Sequence, residues 1–597
     1  MKNKIQKGKS SLFIISAKSI LLFFLFLRPF YDGFSCPAFN FVSNSVFFCL
    51  LVLCIIVLRK KLDFSSAQIS FLAFIVFCLF LVPFWPLWHQ TLKEFTYMLS
   101  LLSVWVLFRT IFNQDDFPLV AQALIFALAI IVFYGIHQYF WGLEETRQMF
   151  MQQKELMGNL SETYLDRMAS NRIFATFVYP NTFAGYLLLL YPVAFFSILR
   201  GKKRMLQLTG AITLAILIPV LAATESMGGW FCFLIVSFLM LLFFLVPRKF
   251  YIHSCIGLSV ILIFLLYAGI KTEIIPKISS LTDRINYWTA ALQIIKNHPF
   301  TGTGPGNFSQ FYLQYKVPGA MEAKFAHNIV VEILVSTGLA GFILFAITIF
   351  FFARRNIKNF LETENYLLTG FMFGLFGIFL HSLVDFDYAD SAISVIIFAL
   401  AGIVEAVPAL EKQKPKRLTK LIAGSIIILL ISAVVIETKI WKVNKSIENI
   451  KTGKSRENPI QVLEKTAKIF PEPETLFIQG EIFRHIYRET KDYRFAEKAV
   501  TAYKKAVGIN KFSPKYRRTL AMMLMETGQY EEAEKEFLKV IEIYPTKALY
   551  NLELGMFYRK IGKDELAEVY LDRGKKLPAS SKDEARSIQE YKNGKSF

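Results

Sequence analysis

The stretch GWFCFLIVSFLMLLFFLVP occupies residues 229–247 and contains no charged side chain. A helix of this length extends roughly 28 Å, close to the roughly 30 Å hydrocarbon core of a bilayer. Similar runs recur along the chain to about residue 440, and the residues beyond have the composition of a soluble helical domain. We therefore expect an all-α protein, with a polytopic membrane domain at residues 1–440 and a soluble domain at residues 441–597.

The membrane domain is predicted to contain about thirteen spans, because apolar runs long enough to cross a bilayer alternate with short polar connections. The predicted spans lie near residues 11–29, 40–58, 68–88, 95–112, 117–140, 172–199, 206–223, 229–247, 251–270, 327–353, 365–384, 391–408 and 419–438. The first run is interpreted as an uncleaved span, because no small-residue cleavage site follows it.

Positive charge in this sequence indicates membrane orientation and not nucleic-acid binding. The net charge is +21, but the basic clusters lie between apolar runs, at residues 2–9, 59–61, 200–204, 248–249, 354–355 and 412–420. One alternation of spans places all of these clusters in the cytoplasm, as the positive-inside rule requires. With the N-terminus inside, an odd number of spans places the C-terminal domain outside the cytoplasm.

The cysteines do not indicate a metal or disulfide site. All six fall at or before Cys255, mostly in or beside apolar runs, and no CxxC motif or cysteine–histidine cluster occurs. We therefore predict neither a zinc site nor a disulfide framework, and no cofactor.

The C-terminal domain contains a repeat of 34 residues, the period of tetratricopeptide repeats. Small alanines recur at this period, each followed four positions later by a large apolar residue, and the pairs are Ala499 with Tyr503, Ala533 with Phe537, and Ala567 with Leu571. A generic helical bundle is the alternative, but the constant period favours repeats. Surfaces of this kind usually bind protein segments, so a protein partner is predicted for this domain.

Two long segments between spans, at residues 141–171 and 271–326, are predicted to lie outside the cytoplasm. The second contains Arg284, Tyr287 and Trp288 on an amphipathic pattern that predicts a short helix lying on the membrane. The glycine-rich run TGTGPGNF at residues 301–308 ends this helix. Since it lacks the Lys-Ser/Thr of a phosphate-binding loop, we interpret it as a turn.

A histidine follows at the point where this external loop enters the next span. His327-Asn328 is followed after nine residues by Gly338-Leu339-Ala340-Gly341. A lone histidine at such a position is often a helix cap or a packing residue, and the glycines alone indicate close helix packing.

Taken together, these motifs resemble the O-antigen ligase and polymerase superfamily over roughly residues 90–405. The resemblance rests on His-Asn-x9-Gly-x-x-Gly, the preceding Arg284-x-x-Tyr-Trp and Asn297-x-Pro-Phe-x-Gly-x-Gly-x-Gly-Asn-Phe, and a third segment that runs from Arg172 to Asn181 and on to Ala184. The chain departs from the family at Met227, where many members have an arginine that follows the serine.

The resemblance implies a GT-C-like membrane fold and metal-independent transfer of a glycan from an undecaprenyl-diphosphate carrier to an acceptor hydroxyl. Glycolipids, glycans and proteins are the acceptor classes. Membrane lipids surround the protein, and the bacterial plasma membrane is the implied location. Arg172 and Arg284 are suited to stabilising the leaving diphosphate, because guanidinium groups bind phosphate oxygens in a fixed fork. His327 is the predicted general base.

Further residues are expected to contact substrate. In the family-like segments these are Asn181, Tyr287, Trp288 and Asn328. His381 and Asp385 lie at another external span end, and Arg28 lies at the external end of the first span, where it is suited to bind a lipid phosphate. An ordinary helix-end histidine and a snorkelling arginine are the structural alternatives.

Three functional classes remain open from the sequence. The leading one is a glycan transferase, either a ligase to lipid or protein or a polymerase of repeat units. A transporter of the glycan lipid would need ionisable residues deep within several spans, and few are present. A non-catalytic scaffold would tolerate alanine at Arg172, Arg284 and His327.

Overall fold

The computed structural model describes residues 2–31, 36–58, 62–149, 170–200, 204–257, 279–407 and 420–592. The predicted span at 251–270 lies outside the described residues from 258 onward. Parts of the two predicted external segments, residues 150–169 and 271–278, lie outside them as well, as do the basic clusters at 59–61, 201–203 and 412–419.

The membrane domain is a helical bundle, as predicted. Within the described ranges, ten helices are long and apolar enough to cross a membrane, and two shorter apolar helices accompany them. The helices up to residue 451 are α1 (Lys2–Leu27), α2 (Pro37–Leu58), α3 (Ser66–Leu81), α4 (Trp88–Ile111), α5 (Phe117–His137), α6 (Pro180–Arg200), α7 (Arg204–Ala223), α8 (Met227–Leu245), α9 (Ser279–Asn297), α10 (Phe308–Tyr315), α11 (Ile329–Glu362), α12 (Tyr366–His381), α13 (Ser391–Glu405) and α14 (Lys420–Lys451).

Pairs of these helices that are distant in sequence form the bundle core. α6 packs against α12, α4 against α13, and α3 against α11. α12 approaches α6 so closely that a Cβ added at Gly374 would lie 2.2 Å from the carbonyl oxygen of Leu189. This close packing brings the ends of α6, α11, α12 and α13 together at one end of the bundle.

Several helix boundaries differ from the prediction, and three of them fall where polar residues adopt a local structure that hydropathy does not report. α4 begins at Trp88 instead of residue 95, while α6 begins at Pro180 instead of residue 172. The eight residues before Pro180 form a loop at the end of the bundle. α14 continues to Lys451, so the predicted domain boundary at 440 falls inside one continuous helix.

α11 is interrupted near its start by the glycine of the family-like motif. Gly338 has φ 63° and ψ −170°, a conformation that only glycine adopts without strain. A Cβ at this position would lie 2.3 Å from the carbonyl carbon of Phe300. The glycine-rich run packs into this interruption, where Thr303 N donates to Val335 O at 2.9 Å and Gly304 N to Ser336 O at 2.8 Å. The run is therefore a turn, as interpreted from the sequence.

The C-terminal domain consists of paired helices, as the 34-residue period predicts. They are α15 (Pro459–Ala467), α16 (Pro473–Thr490), α17 (Tyr493–Ile509), α18 (Pro514–Glu526), α19 (Tyr530–Ile543), α20 (Ala548–Lys560), α21 (Asp564–Lys576) and α22 (Lys582–Lys592). The three repeat alanines and the apolar residues four positions after them are all at most 2% exposed. They form the shared core of the stack.

This domain docks on the loop that contains α9 and α10. The ring of Phe512 lies 4.7 Å from that of Phe311 on α10. Tyr544 donates its hydroxyl to Glu322 at 3.1 Å and is buried in the same apolar cluster as α9 and α10. The repeat domain thus completes the packing of the loop.

Candidate active site

A single carboxylate joins the segments that carry the family-like motifs. Asp385 lies in the turn between α12 and α13, and its side chain is 2% exposed. Its Oδ2 accepts from Arg284 Nη2 at 3.0 Å and from Asn181 Nδ2 at 2.8 Å. Its Oδ1 lies 3.5 Å from His327 Nδ1. Residues separated by up to 204 positions therefore converge on one side chain.

The pKa of this carboxyl is lowered despite its burial. Burial alone would raise the pKa of Asp385, but the nearby His327, His381 and Arg284 outweigh it and lower that pKa below its ordinary value. The carboxylate form of Asp385 is therefore favoured, and it accepts the hydrogen bonds of Arg284 and Asn181.

Arg172 joins this cluster through Asn181. Its Nη2 donates to Asn181 Oδ1 at 2.7 Å, and its Nε donates to Thr224 O at 2.8 Å in the short α7–α8 turn. A guanidinium has five N–H donors. Two are used here, so among the described residues three have no acceptor and remain for a ligand.

Arg284, on the first turns of α9, is held from three directions. Its Nε donates to Val384 O, its Nη1 to Ser280 O at 2.8 Å, and its Nη2 to Asp385. The guanidinium is therefore rigid before any substrate binds.

His327 lies between two aromatic rings, in a strained backbone conformation. Its ring stacks on Tyr287 with centroids 5.3 Å apart, and Phe386 meets it edge-on at 4.7 Å. Its φ is 53°, which is rare for a residue other than glycine. Ala175 and Glu225, in the two turns beside Arg172, also have positive φ. Strain of this kind clusters at functional sites.

Two of the predicted substrate-contact residues are used to hold the His327 segment. Trp288 Nε1 donates to Ala326 O at 3.0 Å. Asn328 caps α11 through Oδ1, and its Nδ2 donates to Leu383 O at 2.9 Å. Glu332 on the first turn of α11 accepts a hydrogen bond from Ala326 N at 2.8 Å, which also holds this segment. Tyr287 contacts His327 directly.

His381 is fully buried, and its partner is Asp387 instead of Asp385. Its Nδ1 lies 2.6 Å from Asp387 Oδ2, and both side chains are 0% exposed. A Cβ at Gly185 would lie 2.2 Å from Asp387 Oδ1, so this carboxylate fits only because position 185 is a glycine. Spacing along the chain could not predict which aspartate lies beside His381, because Asp385 and Asp387 are in the same turn.

Arg28 is not brought to the Asp385 cluster. Its side chain is 1% exposed, and its Nε donates to Ser391 O at 3.0 Å. Its Nη2 donates to Asn40 Oδ1 and to Ser391 Oγ. It ties α1, α2 and the start of α13 together, and the expected contact with a lipid phosphate remains a prediction.

The arrangement is suited to a transfer that involves an anionic leaving group. Two immobilised guanidinium groups lie on one side of Asp385, and a histidine on the other. Because Nδ1 of His327 faces the carboxylate, Nε2 is the nitrogen left to accept a proton from a bound hydroxyl, as in hydrolase triads. Met227, which follows Ser226 in the α7–α8 turn, is 58% exposed and contributes no charge.

Two family models match parts of this chain. The sequence model of the O-antigen ligase family matches residues 212–346, a range that includes Arg284, His327 and Gly338. A tetratricopeptide-repeat model matches residues 519–547. These matches confirm the family resemblance and the repeat tail, and they support a glycan transferase of the ligase or polymerase type in a multi-pass membrane protein.

Among curated proteins, none matches this chain significantly. Among solved structures, a crystal structure of MamA is 16% identical over 25% of this chain and 81% of that chain, with a TM-score of 0.21. A second MamA structure is 18% identical over 26% of this chain and 88% of that chain, with a TM-score of 0.20.

Proposed function

We propose that this protein transfers a glycan from a lipid diphosphate, of the undecaprenyl type, to an acceptor hydroxyl at the extracytoplasmic face of a bacterial plasma membrane. The observation that carries this proposal is the convergence of Arg284, Asn181 and His327 on the buried carboxylate of Asp385. Arg172 joins the same cluster through its hydrogen bond to Asn181. Neither a transporter nor a scaffold needs an arginine and a histidine at one buried carboxylate, with a second arginine joined to it through Asn181.

The two arginines would bind the diphosphate of the donor. As the bond between the anomeric carbon and the diphosphate oxygen breaks, negative charge accumulates on that oxygen. Donors that are already positioned stabilise such charge without reorganisation. Arg284 is held by three protein acceptors and Arg172 by two, so neither guanidinium has to be ordered when the substrate arrives.

His327 would activate the acceptor. The acceptor oxygen attacks the anomeric carbon, its proton passes to Nε2 of His327, and the electron pair of the broken bond leaves with the lipid diphosphate. Asp385 would stabilise the imidazolium that forms and orient the ring through Nδ1. The proton is later released to water or to the departing phosphate, which restores the base.

The orientation of the protein in the membrane is part of the same proposal. The basic clusters favour an N-terminus in the cytoplasm, so the loop with α9 and α10 and the repeat domain would face outward. Their mutual packing agrees with this, because both must then lie on the same side of the membrane.

The test separates donor binding from turnover in full-length protein with a lipid-diphosphate-linked glycan. We expect His327→Ala to bind the donor like the wild type and to transfer about 10²–10⁴-fold more slowly, since a general base acts on the acceptor. His298→Ala, in the same external loop, is the matched control and should transfer normally. Normal turnover by His327→Ala would refute the proposed role, and silence of His327→Ala, Arg172→Ala and Arg284→Ala together would favour a scaffold.

A further inference from the structure

A second cavity, of about 290 Å³, opens at the same end of the bundle but is formed by other helices. Its walls come from α2, α4 and α14, with the tip of the glycine-rich run on one side. Side chains that point into it recur three or four residues apart, namely Asn40 and Asn44, Gln90 and Glu94, and Glu437 and Trp441. Residues at this spacing share one face of a helix, so each of the three helices turns a polar face toward the cavity.

The polar wall is built from amides and carboxylates. Asn44 Nδ2 donates to Glu437 Oε1 at 3.3 Å, and Gln90 Nε2 lies 3.5 Å from Glu94 Oε1. An amide offers both a donor and an acceptor, which matches the dual character of a sugar hydroxyl. Lys324 is the base that the cavity lining contains, beside two carboxyl groups, so the wall offers more partners to a hydroxyl than to a phosphate.

An aromatic face completes the wall. Trp441 stacks on Phe41 with centroids 5.1 Å apart and an interplanar angle of 14°. A large aromatic ring provides a flat apolar face and can carry a polar group at its edge. The C–H face of a pyranose can pack on the flat apolar face. The volume is near the lower limit of ligand pockets, about 300 Å³, so it suits a unit of one or two sugar rings.

Arg28 organises this cavity from behind. It is buried, and it donates to Asn40 and Ser391, both of which line the wall. Gly306 forms part of the opposite wall with φ 81°, and a Cβ there would lie 2.9 Å from Glu94 Cγ. The cavity is thus shaped by a buried arginine and by a glycine of the family-like motif.

Aromatic rings connect this cavity to the histidine side of the candidate active site. Phe325 lines the cavity and stacks on Phe386 with centroids 5.4 Å apart. Phe386 meets His327 edge-on at 4.7 Å. The cavity therefore lies on the side of the proposed general base.

We propose that this cavity is a subsite for a neutral, hydroxyl-rich sugar unit of the acceptor. The assignment to the acceptor rests on the proposed function. The sugar chemistry rests on the amide and aromatic wall. Because α14 supplies Glu437 and Trp441 and continues directly to the repeat domain, the subsite would be joined to that domain by one helix.

The first test measures sugar binding without transfer. Methyl α-glucopyranoside, methyl α-galactopyranoside and N-acetylglucosamine would be offered to full-length protein in nanodiscs, with saturation-transfer NMR as the readout. We expect a signal from at least one probe in the wild type and in His327→Ala. It should be lost in Gln90→Ala and in Asn444→Ala, the latter at a lining residue of α14. Asn449→Ala, on another face of α14, is the control and should keep it. No signal in the wild type, or an unchanged signal in both cavity variants, would overturn the proposal.

The second test assigns the sugar to donor or acceptor in the transfer assay. Each cavity variant should raise the acceptor KM about tenfold, the value of one lost hydrogen bond, with donor KM and kcat at saturating acceptor unchanged. A rise in donor KM instead would overturn the acceptor assignment. Were the wild type to bind the sugars but transfer no glycan, the proposed function would fail while the sugar subsite stood.

Discussion

Asp385 shows how one residue can serve two chemical tasks. Its Oδ2 holds Arg284 and Asn181, on the side assigned to the donor, and its Oδ1 faces His327, on the side assigned to the acceptor. Neutralising it would leave Arg284 without its anion and His327 without the carboxylate that faces Nδ1. The expected loss is therefore larger than that of an ordinary ion pair.

Asp385→Asn is expected to lower the transfer rate about 10²–10³-fold through loss of this electrostatic support. If Asp385 acts on the acceptor step through His327, Asp385→Asn combined with His327→Ala should transfer little more slowly than His327→Ala alone, at saturating donor. Asp115→Asn, an exposed carboxylate in the α4–α5 turn, is the control. Fully additive losses in the double variant would show that the two residues act independently.

The arginines are predicted to differ from lysine in a measurable way. Arg284→Ala and Arg172→Ala should each weaken donor binding and slow transfer, about 10²–10³-fold in rate. Lysine at either position should restore part of the binding but not the rate, because a point charge cannot hold two phosphate oxygens in a fixed fork. Lys296→Ala, an exposed basic position on α9, controls for net charge. Full restoration by lysine would argue that only the charge matters.

At the scale of elements, the interruption of α11 positions the histidine. α11 begins two residues after His327, and its first turns pack on the glycine-rich run as far as Gly338. The run enters the interruption because both Gly302 and Gly338 lack a Cβ that would meet backbone atoms at 2.5 Å or less. The start of α11 is thereby fixed relative to α9, where Arg284 lies.

Gly338→Ala is expected to destabilise the protein by about 1–3 kcal/mol, since the left-handed conformation is strained for alanine and the added methyl meets Phe300. Thermal unfolding of purified protein, followed by size exclusion, would measure the loss. Gly424→Ala lies in α14, where nothing stands within 4 Å of the new Cβ, and should unfold like the wild type. Equal melting temperatures for both variants would contradict the interpretation of the interruption.

At the scale of the whole molecule, the repeat domain is packed on the loop that carries Arg284. Lys547 bonds Glu322 at 3.0 Å beside the Tyr544 contact, while Lys93 at the start of α4 pairs with Glu472. The main apolar cluster of the bundle, by contrast, includes no residue after Val434. The main cluster is therefore packed without the repeat domain, although Leu92 near the start of α4 contacts the small cluster around Phe470. The loop with α9 and α10, in contrast, packs directly on the repeat domain.

Removal of residues 452–597 is expected to leave a membrane domain that accumulates and runs as a single species on size exclusion. Transfer should fall, because α10 would lose Phe512 and Tyr544 from its apolar cluster, and limited proteolysis should then cut the loop around α10 more rapidly. Phe512→Ala in the full chain should reproduce part of the effect, with Phe495→Ala inside the repeat stack as its control. Failure of the truncated chain to accumulate would mean that the repeat domain supports the bundle too.

Hydropathy and repeat period were sufficient to predict the helical membrane bundle and the repeat domain of this protein. Apolar runs of about 20 residues predict membrane helices because an unpaired backbone group in lipid is costly. The repeat at 34 residues predicts paired helices because small alanines are needed where the helices touch. Both expectations are confirmed, since they depend on local composition alone. The boundaries near residues 95, 172 and 440 differ because polar residues and continuous helices do not follow hydropathy.

Which side chains contact one another within the site could not be predicted from the sequence. The family-like motifs pointed to Arg172, Arg284, His327 and Asn181, but their meeting at Asp385 depends on how α6, α9, α11 and α12 pack. The pairing of His381 with Asp387, and the place of Arg28 behind a cavity wall, likewise follow from helices distant in sequence. A motif specifies which groups are present, whereas their distances arise when buried polar groups must find partners in the folded bundle.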